Sequence, residues 1–127
     1  MVSGKVIYPQ ESYAIIGAAM EVHRTLGESF TEYVYQDAFE VELQKREIPY
    51  KREHHLKVNY KGIELKHDFY VDFVCYDKII VECKATDNIL PAHRAQTINY
   101  INIADFKLGI LINFGEPRLM YERFINE

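Results

Sequence analysis

Residues 69–84 read FYVDFVCYDKIIVECK, and this stretch decides the predicted fold. Apolar side chains alternate with others along 69–75 and 79–84, a pattern typical of β-strands. A short polar loop separates the two segments. We therefore expect an antiparallel hairpin whose register places Cys75 opposite Ile79.

The alternation also predicts which side chains share a face of this hairpin. One face is apolar on both strands and should be buried; it comprises Phe69, Val71, Phe73, Cys75, Ile79, Val81 and Cys83. In the same register Asp72 lies opposite Glu82, and Lys84 follows on the face of Glu82. Because directly opposed side chains have Cβ atoms about 5 Å apart, the pattern predicts two neighbouring carboxylates beside a lysine.

Two adjacent carboxylates repel each other unless a cation neutralises them, and carboxylate oxygens favour Mg²⁺ or Mn²⁺. Such an ion polarises a phosphoryl oxygen and makes a bound water easier to deprotonate. The Lys84 ammonium would orient that water or offset negative charge in the transition state. The residues thus indicate phosphodiester hydrolysis. The alternative is an amphipathic hairpin whose outer face carries Asp72 and Glu82, with Lys84 in an ordinary ion pair.

Hydrophobic periodicity and capping residues predict three helices around this hairpin. The first is capped by Ser12 and ends at Gly27, the second spans about 31–46, and the third opens at Pro91 and spans 91–104. The remaining predicted strands are 53–60 and 63–66 as a first hairpin, 107–114 buried on both faces, and 119–125 at an edge.

The order of these elements predicts an α+β (mixed α/β) fold, with helices against a central mixed sheet. Strand 79–84, helix 91–104 and strand 107–114 imply a parallel strand pair joined by a right-handed connection. With no linker-like stretch in 127 residues, we expect a single domain over residues 1–127.

Composition excludes several classes of protein. Hydrophobic residues make up 48% of the chain and charged residues 27%, as in ordinary globular proteins, and no apolar run is long enough for a membrane span. The start, MVSGKVIYPQ, lacks the features of a secretory signal, so we predict a cytoplasmic protein. Cys75 and Cys83 lie in apolar strands and are expected to be free thiols.

The net charge of −4 argues against nonspecific coating of nucleic acid, but residues 45–66 carry seven Lys/Arg against three Asp/Glu. That basic block could follow a phosphate backbone, although a solvated surface is the simpler interpretation for any one residue. His93 is interpreted as a surface residue. The predicted nucleic-acid contacts are Lys51, Arg52, Lys57 and Arg94.

Asp72 together with Glu82-Cys83-Lys84 in the strand IIVECKA resembles the PD-(D/E)xK nuclease signature, without its proline. Residues 96–100, QTINY, resemble the Q-x-x-x-Y motif of the RecB-like branch. The chain as a whole, over about 12–125, is similar to the small stand-alone GxxExxY proteins. Their name-giving motif corresponds to SFTEYVY at 29–35, with Ser29 where the first glycine is expected.

This resemblance implies a restriction-endonuclease-like fold and a set of site residues. The catalytic set would be Asp72, Glu82, Lys84, Gln96 and Tyr100, and the metal ligands would be Glu32, Asp72 and Glu82, with Glu32 acting directly or through water. Glu32 could instead interact only with the dipole of its helix. Tyr100 could be a core aromatic residue and Gln96 a surface residue.

Three functions follow as hypotheses. The first is a Mg²⁺- or Mn²⁺-dependent nuclease acting in the first place on DNA. The second is a nuclease-fold module with weak or absent cleavage that binds nucleic acid or a partner protein. The third is another phosphate-ester hydrolase using the same carboxylates. Because so small a domain has little surface for a duplex, a homodimer or a helper protein is a further hypothesis.

Overall fold

The computed structural model describes residues 7–126. Its elements, in chain order, are α1 (Pro9–Leu26), α2 (Glu32–Lys45), β1 (Tyr50–Tyr60), β2 (Ile63–Cys75), β3 (Ile79–Lys84), α3 (Pro91–Ala104), β4 (Leu108–Asn113) and β5 (Met120–Ile125). Residues 1–6, on which part of the signal-sequence expectation rests, lie outside this range. No helix among the described residues is long and apolar enough to cross a membrane.

The five strands form one sheet in the order β1-β2-β3-β4-β5. Neighbouring strands are antiparallel except for β3 and β4, which are parallel and are connected through α3. The predicted mixed sheet and its parallel pair are therefore confirmed. Cys75 pairs with Ile79, as the hairpin register requires.

Helices cover both faces of this sheet. On one face, apolar residues of α1 and α2 such as Ile15 and Phe39 pack with Val81 and Ile110 of the central strands. On the other face, Tyr100 and Ile101 of α3 pack with Ile80 of β3. Central strands covered on both sides are apolar at nearly every position, and every residue of β4 is buried.

The contact between α3 and β4 is close because a glycine lies at its centre. A Cβ atom added to Gly109 would lie 2.8 Å from the Ile101 side chain and 3.0 Å from that of Thr97. Real Cβ atoms do not approach so closely without a shift of their neighbours. Gly109 therefore sets how near α3 lies to the sheet.

Three predicted boundaries were wrong. Strand β1 begins at Tyr50, three residues before its predicted start at residue 53. Helix α1 begins at Pro9, with Tyr8 as its N-cap, and Ser12 lies buried inside the helix instead of capping it. Proline is well suited to the first helical turn, where no hydrogen-bonded N–H is required. The segments 63–66 and 69–75 are one continuous strand, β2, because β1 pairs with it along almost its full length.

The predicted apolar face of β2 was also wrong in part. Phe73 and Cys75 face α1 and α2, whereas Phe69 and Val71 pack on the side of α3. The alternation breaks at Asp72, between Val71 and Phe73. Both of these neighbours pair with residues of β1, whereas Asp72 does not. The corresponding residue of β1 is Glu53, whose φ is 51°, so the two strands depart from regular extended geometry at the same level.

Beyond this break, β1 and β2 continue as a two-stranded arm. Strand β3 pairs only with Phe73–Cys75 of β2, whereas β1 and β2 remain paired as far as Tyr60 and Ile63. We refer to residues 54–71 as the hairpin arm. Cys75 and Cys83 are buried free thiols, as expected.

Candidate active site

The centre of the site lies where β2 and β3 separate. Their backbone pairing ends at Phe73 and Val81. One residue further, the N–H of Asp72 donates a 2.7 Å hydrogen bond to Oε2 of Glu82, and the N–H of Cys83 donates a 2.8 Å bond to Oδ2 of Asp72. Each carboxylate is thus held by the main chain of the opposite strand, and its other oxygen is not used in these two bonds.

Burial makes both carboxyl groups poor acids. Glu82 is 2% exposed, and burial together with the negative charge of Asp72 raises the pKa of Glu82 to about 8. Burial likewise raises the pKa of Asp72 to about 6. The hydrogen bond from Cys83 lowers this pKa, and the negative charge of Glu32 raises it further. An adjacent cation would reverse these shifts, because it favours the ionised form of both groups.

A chain of side-chain hydrogen bonds connects Lys84 to α3. Its Nζ donates a 3.0 Å bond to Oε1 of Gln96, whose Nε2 donates a 3.2 Å bond to the hydroxyl of Tyr100. Gln96 and Tyr100 can share this chain because residues four apart lie on one face of a helix. The positive charge of Lys84 lowers the pKa of both Asp72 and Glu82.

Glu32 reaches the same region from the start of α2. The buried Tyr35 hydroxyl donates to the carbonyl of Gly27 and accepts from the N–H of Phe30, which fastens the loop before α2. The positive φ of this loop is at Gly27, at 76°, so Ser29 occupies a position that does not require glycine. The negative charge of Glu32 raises the pKa of both Asp72 and Glu82.

The donors present suit a hard divalent cation. Within residues 7–126, no group of three or more His, Cys, Asp or Glu side chains is arranged to hold a metal ion. Mg²⁺, however, usually keeps several waters and needs only one or two protein carboxylates. Asp72 and Glu82 supply that number, and burial is the first cause of their raised pKa values.

Two residues near the site are not among the predicted site residues. His93 is half-buried rather than on the open surface, and burial and the charge of Lys84 lower its pKa. Gln36 is 2% exposed and donates to Glu32 while accepting from Arg52. Its position four residues after Glu32 in a helix is the signal that could have identified it.

All four basic residues that are predicted to contact nucleic acid form ion pairs with acidic residues. Lys51 pairs with Asp77, Arg52 with Asp37 and Glu40, Lys57 with Asp68, and Arg94 with Glu122. A phosphate would have to compete with these carboxylates. The role of these residues in nucleic-acid binding remains a prediction.

Comparison with known proteins agrees with the fold. The crystal structure of SSO0001 is similar in fold, with a TM-score of 0.58 and 21% identity over 75% of this chain and 50% of that one. The chain thus spans half the length of SSO0001. A search of curated proteins found no significant match. A family model described as the PD-(D/E)XK nuclease superfamily matches residues 9–124, and the chain belongs to that superfamily.

Proposed function

We propose that this protein is a metal-dependent nuclease that hydrolyses phosphodiester bonds in DNA. The observation that carries the proposal is the buried pair of Asp72 and Glu82, each held by the main chain of the opposite strand. Burying two acids together is costly for a fold. A bound divalent cation would offset this cost and could in turn bind a phosphate oxygen of an anionic substrate.

Each side chain has a distinct task in the proposed reaction. Asp72 and Glu82 would hold Mg²⁺ or Mn²⁺, with Glu32 contributing directly or through water; the bound ion supplies charge neutralisation and a more acidic water. The Lys84 ammonium would offset charge that develops on the phosphate or orient the attacking water. Gln96 would hold that ammonium in place through their hydrogen bond.

Tyr100 completes the proposed catalytic set. Its hydroxyl accepts from Gln96, which leaves its own proton available for a phosphate oxygen. Burial and the charges of Glu82 and Asp72 raise the pKa of Tyr100, so the phenol stays protonated at neutral pH and acts as a donor. A neutral donor beside two acids suits a site that admits a phosphate.

The remaining proposals concern the substrate and its setting. Lys51, Arg52, Lys57 and Arg94 would contact the phosphate backbone by exchanging their present acidic partners for phosphates. We also propose that the protein acts in the cytoplasm, and that a second copy or a helper protein extends its surface when it holds DNA. Light scattering of the protein with and without a DNA oligonucleotide tests for that second copy.

The decisive experiment is a cleavage assay on single-stranded and duplex DNA and RNA, with Mg²⁺, Mn²⁺ or EDTA. The wild type is compared with Glu82→Gln, Lys84→Met and the exposed control Glu64→Gln. We expect metal-dependent cleavage of DNA by the wild type and the control, and a loss of about 100-fold or more in the first two variants.

Absence of cleavage by folded wild-type protein with either metal would refute the proposal. Retained binding to DNA or to a partner protein would then support the alternative of a nuclease-fold binding module. Cleavage that persists in pure Glu82→Gln would instead show that other residues do the chemistry. Hydrolysis of small phosphate esters but not of DNA would identify another type of phosphate-ester hydrolase.

A further inference from the structure

A groove next to the site lies between α3 and the hairpin arm. Its volume is about 530 Å³, within the range of roughly 300–1,000 Å³ typical of ligand pockets. Its walls consist of Phe69 on the arm and Ala92, Ala95, Gln96, Asn99, Tyr100, Asn102 and Ile103 on α3. We call it the α3–arm groove.

The groove is continuous with the catalytic set. Gln96 and Tyr100 line the groove and also form the hydrogen-bond chain to Lys84. A nucleotide whose phosphate lies at Asp72 and Glu82 would therefore have this space next to it. At its far end, a second hollow shares Asn102 and Ile103 with the groove and reaches Lys57 of the arm.

The chemistry of the walls suits a base better than a phosphate. None of the residues that line the groove is charged, and three of them are amides. Asn99 and Asn102 are exposed, and an amide offers both donors and acceptors to the edge of a base. A phosphate backbone would instead call for Lys or Arg along the walls.

Phe69 provides a fixed aromatic surface at the groove. It is half-buried, and its ring centroid lies 6.3 Å from that of Tyr100 and 4.7 Å from that of His67. Aromatic side chains stack with bases of any identity. A duplex cannot present the face of a paired and stacked base to such a surface unless that base is unpaired.

We infer that the α3–arm groove binds an unpaired base of the substrate next to the scissile phosphate, so that the protein acts on single-stranded DNA or on frayed ends. This inference rests on the proposed nuclease function and adds to it the strandedness of the substrate. It also assigns Phe69 and Asn99 to substrate binding, outside the set that performs the chemistry.

A binding experiment tests the groove independently of cleavage. A single-stranded DNA oligonucleotide containing 2-aminopurine is titrated with protein in EDTA and, separately, in Ca²⁺. Stacking on Phe69 should quench its fluorescence. We expect Phe69→Leu to weaken binding about fivefold or more and to reduce the quenching. The control Tyr13→Leu replaces an aromatic residue that is 84% exposed on α1, and it should behave as wild type.

A second variant keeps the test valid if Phe69→Leu folds poorly. Ala95 is exposed on the groove wall, so Ala95→Leu should fold normally and obstruct the groove. The inference would be overturned if the wild type showed no quenching in EDTA or in Ca²⁺, or if both groove variants quenched as strongly as the wild type. Tighter binding of blunt duplex than of single strands would also overturn it.

The two proposals can fail separately. Phe69-dependent quenching without any cleavage would support base binding in the groove and refute the nuclease function. Metal-dependent cleavage of single strands and blunt duplex at equal rates, unchanged by Phe69→Leu and Ala95→Leu, would retain the nuclease and reject the groove.

Discussion

The main-chain N–H of Asp72 donates its hydrogen bond to the carboxylate of Glu82, at 2.7 Å. In a regular hairpin that N–H would pair with a backbone carbonyl or point to solvent. Here Glu82 receives the bond, and Asp72 in return accepts one from the N–H of Cys83. The two carboxylates thus occupy the place of backbone pairing where β2 and β3 separate. The stability of the fold and the chemistry of the site both depend on what neutralises these groups.

The metal-free protein should lose stability as the pH rises through the titration of Glu82. Its pKa is about 8 in the fold against 4.5 as a model value, so the folded state retains a proton that the unfolded state releases. Glu82→Gln removes this effect. We expect the unfolding free energy of Glu82→Gln to be more than about 1 kcal/mol above that of the wild type at pH 8. Near pH 5 the two free energies should be similar.

Urea denaturation in EDTA between pH 5 and pH 9 measures this difference. Glu64→Gln, an exposed change on the hairpin, serves as the control and should not reproduce the gain of Glu82→Gln at pH 8. A constant difference for Glu82→Gln would contradict the raised pKa.

Metal binding should release protons. At pH 7 a carboxyl group with a pKa of about 8 is largely protonated, and a bound cation requires it to ionise. Calorimetric titration with Mn²⁺ in two buffers of different ionisation enthalpy should report release of roughly one proton per ion. In Glu82→Gln we expect weaker binding and no such release; an unchanged release would assign the proton to another group.

Gln96 should act by positioning Lys84. Gln96→Leu keeps an apolar stem of similar size but removes the acceptor, and we expect kcat to fall about 10- to 100-fold with little change in KM. In a Lys84→Met background the same change should have almost no further effect. Steady-state kinetics of the double-mutant cycle measures this coupling.

Gln44→Leu provides the matched control for that cycle, since Gln44 donates to Tyr50 and not to the site. Its activity should equal that of the wild type. Additive losses in the Gln96→Leu/Lys84→Met protein would show that Gln96 acts on the substrate and not through the ammonium.

The spacing of α3 should depend on Gly109. Gly109→Ala would place a Cβ 2.8 Å from the Ile101 side chain, and we expect a loss of about 1–3 kcal/mol in unfolding free energy. Gly17→Ala makes the same chemical change inside α1, where the nearest atom is the flexible end of Arg46 at 3.3 Å. Helix propensity there should yield a gain of about 0.5–1 kcal/mol. Opposite signs in urea denaturation are the expected result; two equal changes would contradict it.

Much of the fold is predictable from local patterns. Pro91 opens α3 and the helix ends at Ala104, as predicted, because proline suits a helix start and the apolar residues repeat at helical spacing. The pairing of Cys75 with Ile79 follows from the length of the loop between β2 and β3 and from the need to bury one face of their hairpin. Such signals lie within a few residues of the feature that they specify.

The site residues were predicted largely from resemblance, and the structure adds their environment. Alternation along a strand indicates which side chains share a face, but it cannot reveal where that face changes. The change at Asp72 coincides with Glu53 on another strand. The sequence predicts a nucleic-acid contact at Arg52, and only the structure shows that Asp37 and Glu40 of α2 pair with it.

The sequence by itself determined the order of the three helices, the parallel pair of β3 and β4 and the pairing of Cys75 with Ile79, because hydrophobic periodicity, proline and loop length act locally. Only the tertiary structure decided that Glu82 is 2% exposed, that Lys84 contacts Gln96, and that α3 and the arm enclose a groove. Burial, electrostatic coupling and cavities arise between segments far apart in the chain, and their magnitude depends on distances that no local pattern specifies.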